Sequence, residues 1–293
     1  DDTEYFMMHT AARNVLVNSG IRENSMLSYM GRINYGYKGK YLLTLTSRTD
    51  GASVFAINNK YAFFPVAAVA WHIGQENFIK DNLKWVDMLK LRASYGANGN
   101  QAIQEYQSLD RLYSNVKYIW GDDGTAVNTV YLAGDGVGNP NLKWETTYSA
   151  NIGLDFQLFK NRLSGTIDAY QARTKDLLMT RTVPIMNGYS RIWDNVGETQ
   201  NKGIEVTLNT INLDGKDFKW SSTAVFSLNR DKIVELRGDG IDDIGNNWYI
   251  GKPLRVFFDY NMIAIWQTGE NYSIQPGGAP GAAKLEDVNG DGV

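Results

Sequence analysis

The clearest pattern in the sequence is a strict alternation of apolar and polar residues over positions 147–158. Every even position carries an apolar side chain, and every odd position carries a polar side chain or glycine. Successive side chains of a β-strand point to opposite sides, so this alternation predicts a strand with one apolar face and one polar face.

Shorter versions of the alternation recur, for example at 33–37 and 89–95. Together they predict eight strands, near 28–37, 40–49, 61–72, 86–97, 144–158, 163–173, 201–211 and 218–229, and a further extended segment near 254–267. No stretch has a convincing helical period, so the chain is predicted to be all-β.

The predicted connections alternate strictly between short and long. The shorter ones lie at 38–39, 73–85, 159–162 and 212–217, and the longer ones at 50–60, 98–143, 174–200 and from 230 onward. Short connections at one end and long ones at the other are typical of an antiparallel up-and-down transmembrane β-barrel, whereas a soluble sandwich has no reason to sort its loops.

In such a barrel the apolar face contacts lipid and the polar face contacts the lumen. We therefore expect lipid contact at Tyr148, Ile152, Leu154 and Phe156, and lumen contact at Ser149, Asn151 and Asp155. Aromatic residues flank the shorter connections, as Tyr37 and Tyr41, Trp71 and Trp85, Phe156 and Phe159, and Phe218 and Trp220. They are typical of an interfacial girdle, with ordinary strand-end packing in a soluble core as the alternative.

Composition narrows the class of protein further. A net charge of -3 gives no basic field for nucleic acid, and the absence of cysteine excludes disulfides and thiol chemistry. No apolar run approaches the ~20 residues of a spanning helix. The N-terminus lacks a signal peptide, which we expect to have been removed or to lie upstream.

A set of stretches resembles the SusC/RagA-type TonB-dependent transporters of Gram-negative bacteria. These stretches are YLLTLT (41–46), RTDGAS (48–53), FFPVAAVAW (63–71), LKLRASYG (89–96), GNQ (99–101), NPNLKWE (139–145), NVG (195–197), NKGIE (201–205) and DVNGDG (287–292). Each is weak alone, but the set covers nearly the whole chain in the family's order.

The resemblance implies that residues 1–293 are the central part of a plugged outer-membrane barrel of about 22 strands. The signal peptide, N-terminal domains, plug and final strands are then expected outside this sequence. The implied partners are a SusD-like surface lipoprotein, the TonB complex through the missing N-terminal region, outer-membrane lipid, and a glycan or peptide substrate.

The sequence offers little catalytic chemistry. It has two histidines, no cysteine, and neither a G-x-S-x-G elbow nor an H-E-x-x-H helix. The acid pair Asp242-Asp243 lies in a polar loop stretch, where solvated charge is the default interpretation. We therefore expect no enzyme activity and no cofactor.

One short motif could bind a metal. Asp287, Asn289 and Asp291, followed by Gly292, match the opening of a calcium loop, because three oxygen ligands at alternate positions can wrap a hard cation. A metal-free Asx/Gly turn fits the same residues and is favoured.

Aromatic residues in the long loops could stack on sugars or pack the loops together. They are Tyr106, Tyr113, Tyr118, Trp120, Tyr131, Tyr189, Trp193, Trp248 and Tyr249. The sequence thus favours active import of oligosaccharides or peptides across the outer membrane. The alternative is a non-transporting surface β-protein, either a glycan-binding module or a structural barrel.

Overall fold

The computed structural model describes residues 21–119, 124, 126–132, 137–184, 186, 189–257 and 259–288. Its strands are β1 (Met26–Tyr37), β2 (Tyr41–Ala52), β3 (Tyr61–Trp71), β4 (Val86–Asn100), β5 (Leu112–Ile119), β6 (Ala126–Leu132), β7 (Glu145–Leu158), β8 (Leu163–Lys175), β9 (Leu178–Thr182), β10 (Arg191–Asn195), β11 (Glu198–Asp214), β12 (Lys219–Glu235), β13 (Met262–Ile265) and β14 (Ala283–Leu285). One short helix, α1 (Asn77–Lys80), and three 3₁₀ turns complete the described secondary structure: Ile73–Gln75, Ile244–Asn246 and Tyr272–Ile274.

Eight of these strands form one antiparallel sheet in the order β1-β2-β3-β4-β7-β8-β11-β12. They are the eight strands predicted from the alternation, so the all-β antiparallel prediction is confirmed. Among the described strands β1 and β12 are the two edges, and the sheet is open rather than closed into a small barrel. Several strands, such as β4 and β12, run further into the loop end than the alternation indicates, because backbone pairing does not need an amphipathic pattern.

Three two-stranded hairpins lie within segments that were predicted to be irregular. They are β5–β6 in 98–143, β9–β10 in 174–200, and β13–β14 after 230. The extended segment predicted near 254–267 is a strand only at Met262–Ile265. These strands have three to eight residues, and most of them do not alternate strictly between apolar and polar side chains, so the pattern does not mark them.

The two faces of the sheet follow directly from the strand register. Ile152 pairs with Ala93 and Ala169, whereas its neighbour Asn151 pairs with Ser94 and Tyr170. Paired residues share a face, so apolar and polar positions align across strands into an apolar face and a polar face. Ile152 is 61% exposed on the apolar face, and Asn151 is half-buried on the polar face.

The apolar face is therefore open in the described part of the chain, as Ile33 and Tyr95 also illustrate. Its contact with lipid stays a prediction. No helix among the described residues is long and apolar enough to cross a membrane.

The short end of the sheet is organised by Glu76, which lies just before α1. Its carboxylate accepts hydrogen bonds from Lys40 Nζ at 2.8 Å, Tyr41 Oη at 2.8 Å and Trp71 Nε1 at 3.1 Å. These hydrogen bonds, with that from Lys40 contributing most, lower the pKa of Glu76 to about 2. The connection 72–85 is thereby held against the turn between β1 and β2.

Aromatic rings cluster at this end, as the sequence predicts. Tyr41 stacks between Tyr37 and Trp71, with ring centroids 6.4 Å apart in each pair, and Trp85 stacks on Phe159 at 5.4 Å. Their role as a membrane girdle stays a prediction.

Candidate functional site

The buried core of the described chain lies at the long-loop end of the sheet, around Trp144. This indole is 4% exposed and contacts the rings of Phe55 and Phe64, with centroids 5.2 and 5.6 Å away. Its Nε1 donates to the carbonyl of Lys60 at 2.8 Å. Leu142, which is fully buried, completes the contact between the segment before β7 and the β2–β3 loop. We call this cluster the loop core.

Polar side chains then tie the β9–β10 hairpin to the segment before β7. Asn139 Nδ2 donates to the carbonyl of Trp193 at 2.9 Å, and its Oδ1 accepts from the Asn141 amide at 2.9 Å. Asn195 exchanges hydrogen bonds with the backbone N–H and C=O of Lys143, both at 2.8 Å. Both links hold β10, so this strand of the hairpin is fixed to the segment before β7.

Glu145 adds a link from the sheet to the same hairpin. Its carboxylate accepts from Asn100 Nδ2 at 3.0 Å and from the backbone amide of Leu178 at 3.2 Å. The NPNLKWE stretch thus has a structural explanation, since its asparagines, leucine, tryptophan and glutamate all fasten long loops to one another.

A cleft opens between this hairpin and the segment that follows β12. It has a volume of about 380 Å³ and is lined on one side by Thr180, Thr182, Arg191 and Trp193. Thr182 pairs with Arg191 and Thr180 with Trp193, so the register places these four side chains on one face of the hairpin. We call this the hairpin cleft.

The opposite wall of the hairpin cleft is held by Asp243. It forms an ion pair with Arg237 and accepts a hydrogen bond from the Asn246 amide at 3.2 Å. Burial alone would raise the pKa of Asp243, but hydrogen bonds from Asn246 and Arg237 outweigh it and lower the pKa. Trp248, whose backbone bridges to Asp243, presents its side chain to the cleft.

The sequence profile of the family described as TonB dependent receptor-like, beta-barrel matches residues 9–282. The chain belongs to this family. A TonB-dependent receptor of Formosa agariphila is 40% identical over 298 residues, which are 96% of this chain and 29% of that protein. The TonB-dependent receptor SusC of Bacteroides thetaiotaomicron is 35% identical over 225 residues, which are 75% of this chain and 22% of that protein.

Solved structures agree with the sequence relatives. The RagAB peptide importer in its open-open state matches with a TM-score of 0.69 at 29% identity, over 78% of this chain and 25% of that one. The resemblance to SusC/RagA-type receptors is confirmed. The chain spans about 30% of the length of the curated relatives it matches.

A second polar cluster of this TonB-dependent receptor segment lies on the polar face of the sheet. Arg92 donates to both Asp155 oxygens at 2.7–3.0 Å and to Asp168 at 3.2 Å. Lys90 Nζ lies 3.8 Å from Asp155. Opposite charges on three adjacent strands are thus neutralised locally, which lets the strands carry charge at mid-sheet.

The predicted calcium motif falls mostly outside the described residues. Of its three oxygen ligands only Asp287 is described, whereas Asn289 and Asp291 are not, so the calcium-type loop stays a prediction. Within the described ranges, no group of three His, Cys, Asp or Glu side chains could hold a metal ion.

Packing of loops together is observed for some of the loop aromatics, including Trp193 against the loop core, whereas stacking on a sugar stays a prediction. Trp193 and Trp248 line the hairpin cleft, whereas the Tyr106 hydroxyl accepts from the Glu23 amide at 3.1 Å and joins two segments. Trp120 and the side chains of Tyr113, Tyr118 and Tyr131 lie outside the described residues.

The charged residues of the hairpin cleft could not be recognised in the sequence as members of one site; they are Arg191, Arg237 and Asp243. The interpretation of Asp243 as solvated loop charge is wrong, because its side chain is only 18% exposed and is paired with Arg237. No local motif marks these residues, since their partners come from separate loops.

Proposed function

We propose that this chain is a section of a larger outer-membrane barrel that imports oligosaccharides or peptides with energy supplied through TonB. The observation that carries the proposal is the sheet itself, with an open apolar face and a charged polar face. Its short turns lie at one end, and its long loops pack into a loop core at the other. Proteins that cross a membrane with β-strands have this architecture, with short turns on one side and longer loops on the other.

We further propose that the long-loop end faces the cell exterior and works with a SusD-like lipoprotein as a lid. The SusC and RagAB relatives support both proposals, since RagAB is described as a peptide transporter or importer. The loop core, and the hydrogen bonds of Asn139 and Asn195 that hold the β9–β10 hairpin, would give such a lid a rigid surface to bind.

The decisive experiment is uptake by the native bacterium. Cells with and without the gene are given fluorescent oligosaccharides and peptides, and internalised label is measured with and without a protonophore. The proposal predicts that deletion abolishes uptake of at least one compound and that the protonophore does the same in wild-type cells.

Unchanged uptake of every compound after deletion would contradict import. Surface binding that is lost on deletion, without any change in uptake, would instead favour the non-transporting surface protein. A protein that does not fractionate with the outer membrane would contradict the barrel itself.

A further inference from the structure

The described lining of the hairpin cleft contains two arginines, Arg191 and Arg237. Arg191 is exposed at the cleft and forms no ion pair or side-chain hydrogen bond with any described residue. The other ionised side chains of the lining, Arg237 and Asp243, neutralise each other. The cleft therefore carries one unbalanced positive charge.

Beside this charge the cleft offers flat apolar surfaces and hydroxyl groups. Trp193 and Trp248 line it, with Trp193 also packed against the loop core, and Thr180 and Thr182 lie on the same hairpin face as Arg191. An indole presents a large rigid apolar surface on which the C–H face of a sugar ring can pack. A guanidinium binds carboxylate or sulfate through paired, geometrically fixed hydrogen bonds.

We propose that the hairpin cleft is a binding subsite for an anionic oligosaccharide, in which a ring packs on an indole and Arg191 binds the carboxylate or sulfate. The volume of about 380 Å³ falls within the roughly 300–1,000 Å³ of small-molecule sites. This inference rests on the proposed import function and names a substrate class for it.

A peptide is the less suitable occupant, because one backbone group at the outer edge of each strand of this hairpin is already engaged. Peptides commonly bind by adding a strand to an open edge, which requires free N–H and C=O groups. Here the Leu178 amide donates to Glu145, and the Trp193 carbonyl accepts from Asn139. A peptide strand could therefore not pair along the whole hairpin edge without displacing Glu145 or Asn139.

The cleft is also pre-formed, which reduces the ordering needed on binding. The hairpin is fixed through Asn139, Asn195 and Glu145, and the opposite wall through the Arg237–Asp243 pair. A ligand would then lose less affinity to loop ordering than it would on free loops.

The test measures binding of the purified full-length receptor to an array of acidic oligosaccharides. The array contains galacturonate, glucuronate, mannuronate and sulfated galactan oligomers, each beside its methyl-esterified or desulfated counterpart, together with acidic and neutral peptides. We expect binding to at least one acidic oligosaccharide, about tenfold or more tighter than to its neutral counterpart. The uronate and sulfate arms identify which anion is bound.

Two variants separate the roles of charge and stacking. Arg191→Gln should abolish the preference for the acidic member, and Arg191→Lys should restore part of it. Trp248→Ala should weaken acidic and neutral members alike. Arg255→Gln is the matched control, because Arg255 is also exposed and forms no ion pair or side-chain hydrogen bond with a described residue, yet does not line the cleft.

Several outcomes would overturn the proposal. They are no acidic oligosaccharide bound, equal binding of neutral counterparts, preferential binding of peptides, or an Arg191→Gln effect no larger than that of Arg255→Gln. Failure of import is distinguishable, because binding is measured without transport. If an acidic oligosaccharide binds as predicted and deletion leaves uptake unchanged, the binding subsite is confirmed and the import function is contradicted.

Discussion

Gly153 lies opposite Arg92 in the sheet, and the missing side chain at this glycine makes room for the guanidinium. A Cβ at Gly153 would lie 2.7 Å from Arg92 Nη2 and would also overlap Asp168. The bridge from Arg92 to Asp155 and Asp168 across three strands therefore depends on a residue that carries no charge.

Replacing Gly153 with valine should displace the guanidinium and destabilise the receptor by about 1–3 kcal/mol, because the added methyl groups overpack the site. The measurement is thermal unfolding of the purified receptor in detergent. Gly31→Val is the control, since nothing lies within 4 Å of a Cβ at Gly31. In an Arg92→Met background the cost of Gly153→Val should shrink, and an unchanged cost would show that Arg92 is not the cause.

A second prediction concerns the stability cost of a charge on each face of the sheet, compared at two adjacent residues. Ile152→Lys places a charge on the open apolar face and should cost ~2–4 kcal/mol if that face contacts lipid, whereas Asn151→Lys should cost little. Both residues lie at the same level of β7, so depth is matched. Equal losses of stability in an unfolding assay in lipid vesicles would count against the lipid assignment.

Much of this sheet could be predicted from the sequence, because alternation is a direct consequence of having one apolar and one polar face. Ile152 and Asn151 differ in environment for that reason alone. The hairpin β9–β10 could not be predicted, since five residues such as Arg191–Asn195 mix charge, indole and aliphatic side chains without a period.

Only part of the loop core could be predicted from the sequence. Its NPNLKWE stretch could be recognised as typical of a family, but the roles of Asn139 and Glu145 depend on partners at Trp193 and Leu178, which are distant in sequence. The sequence marked Trp193 and Trp248 among the loop aromatics, but it could not predict the hairpin cleft, because Arg191 and Trp248 come together only through the folded loops.

The loop core should respond strongly to truncation of Trp144. Trp144→Ala removes a buried indole and its hydrogen bond to Lys60, and it should destabilise the loop end by about 3–5 kcal/mol. Limited proteolysis of the receptor in detergent should then show faster cleavage within 53–60. Phe257→Ala is the control, because Phe257 is fully exposed and should leave the cleavage rate unchanged. Equal rates in both variants would contradict the packing role.

The stability of the receptor should depend on pH through Glu76, which lies at the short-turn end of the sheet. Its pKa is lowered to about 2 in the folded protein from an ordinary 4.5, so its stabilising effect is complete above pH 4.5 and is lost as the pH falls through about 2. Glu76→Gln should therefore lower the melting temperature at neutral pH, by an amount that shrinks below pH 4.5 and vanishes near pH 2.

The control for this pH series is Asp217→Asn, in the turn between β11 and β12. Asp217 is exposed and makes no side-chain contact with the described residues. Its substitution should leave the melting temperature close to that of the wild type at neutral pH. A Glu76→Gln effect that is the same at pH 7 and pH 2 would show that hydrogen-bond geometry rather than the carboxylate charge matters.

The orientation of the sheet, with its long-loop end at the cell exterior, can be measured by labelling cysteines in intact cells. This chain has no cysteine of its own, so single cysteines can be introduced at Gly240 and Gly269 in the long segment after β12, and at Lys160 and Lys216 in short turns. A membrane-impermeant maleimide should label positions 240 and 269 in intact cells, and positions 160 and 216 only after permeabilisation. Labelling of positions 160 and 216 alone in intact cells would invert the topology, and equal labelling of all four would contradict a membrane-spanning sheet.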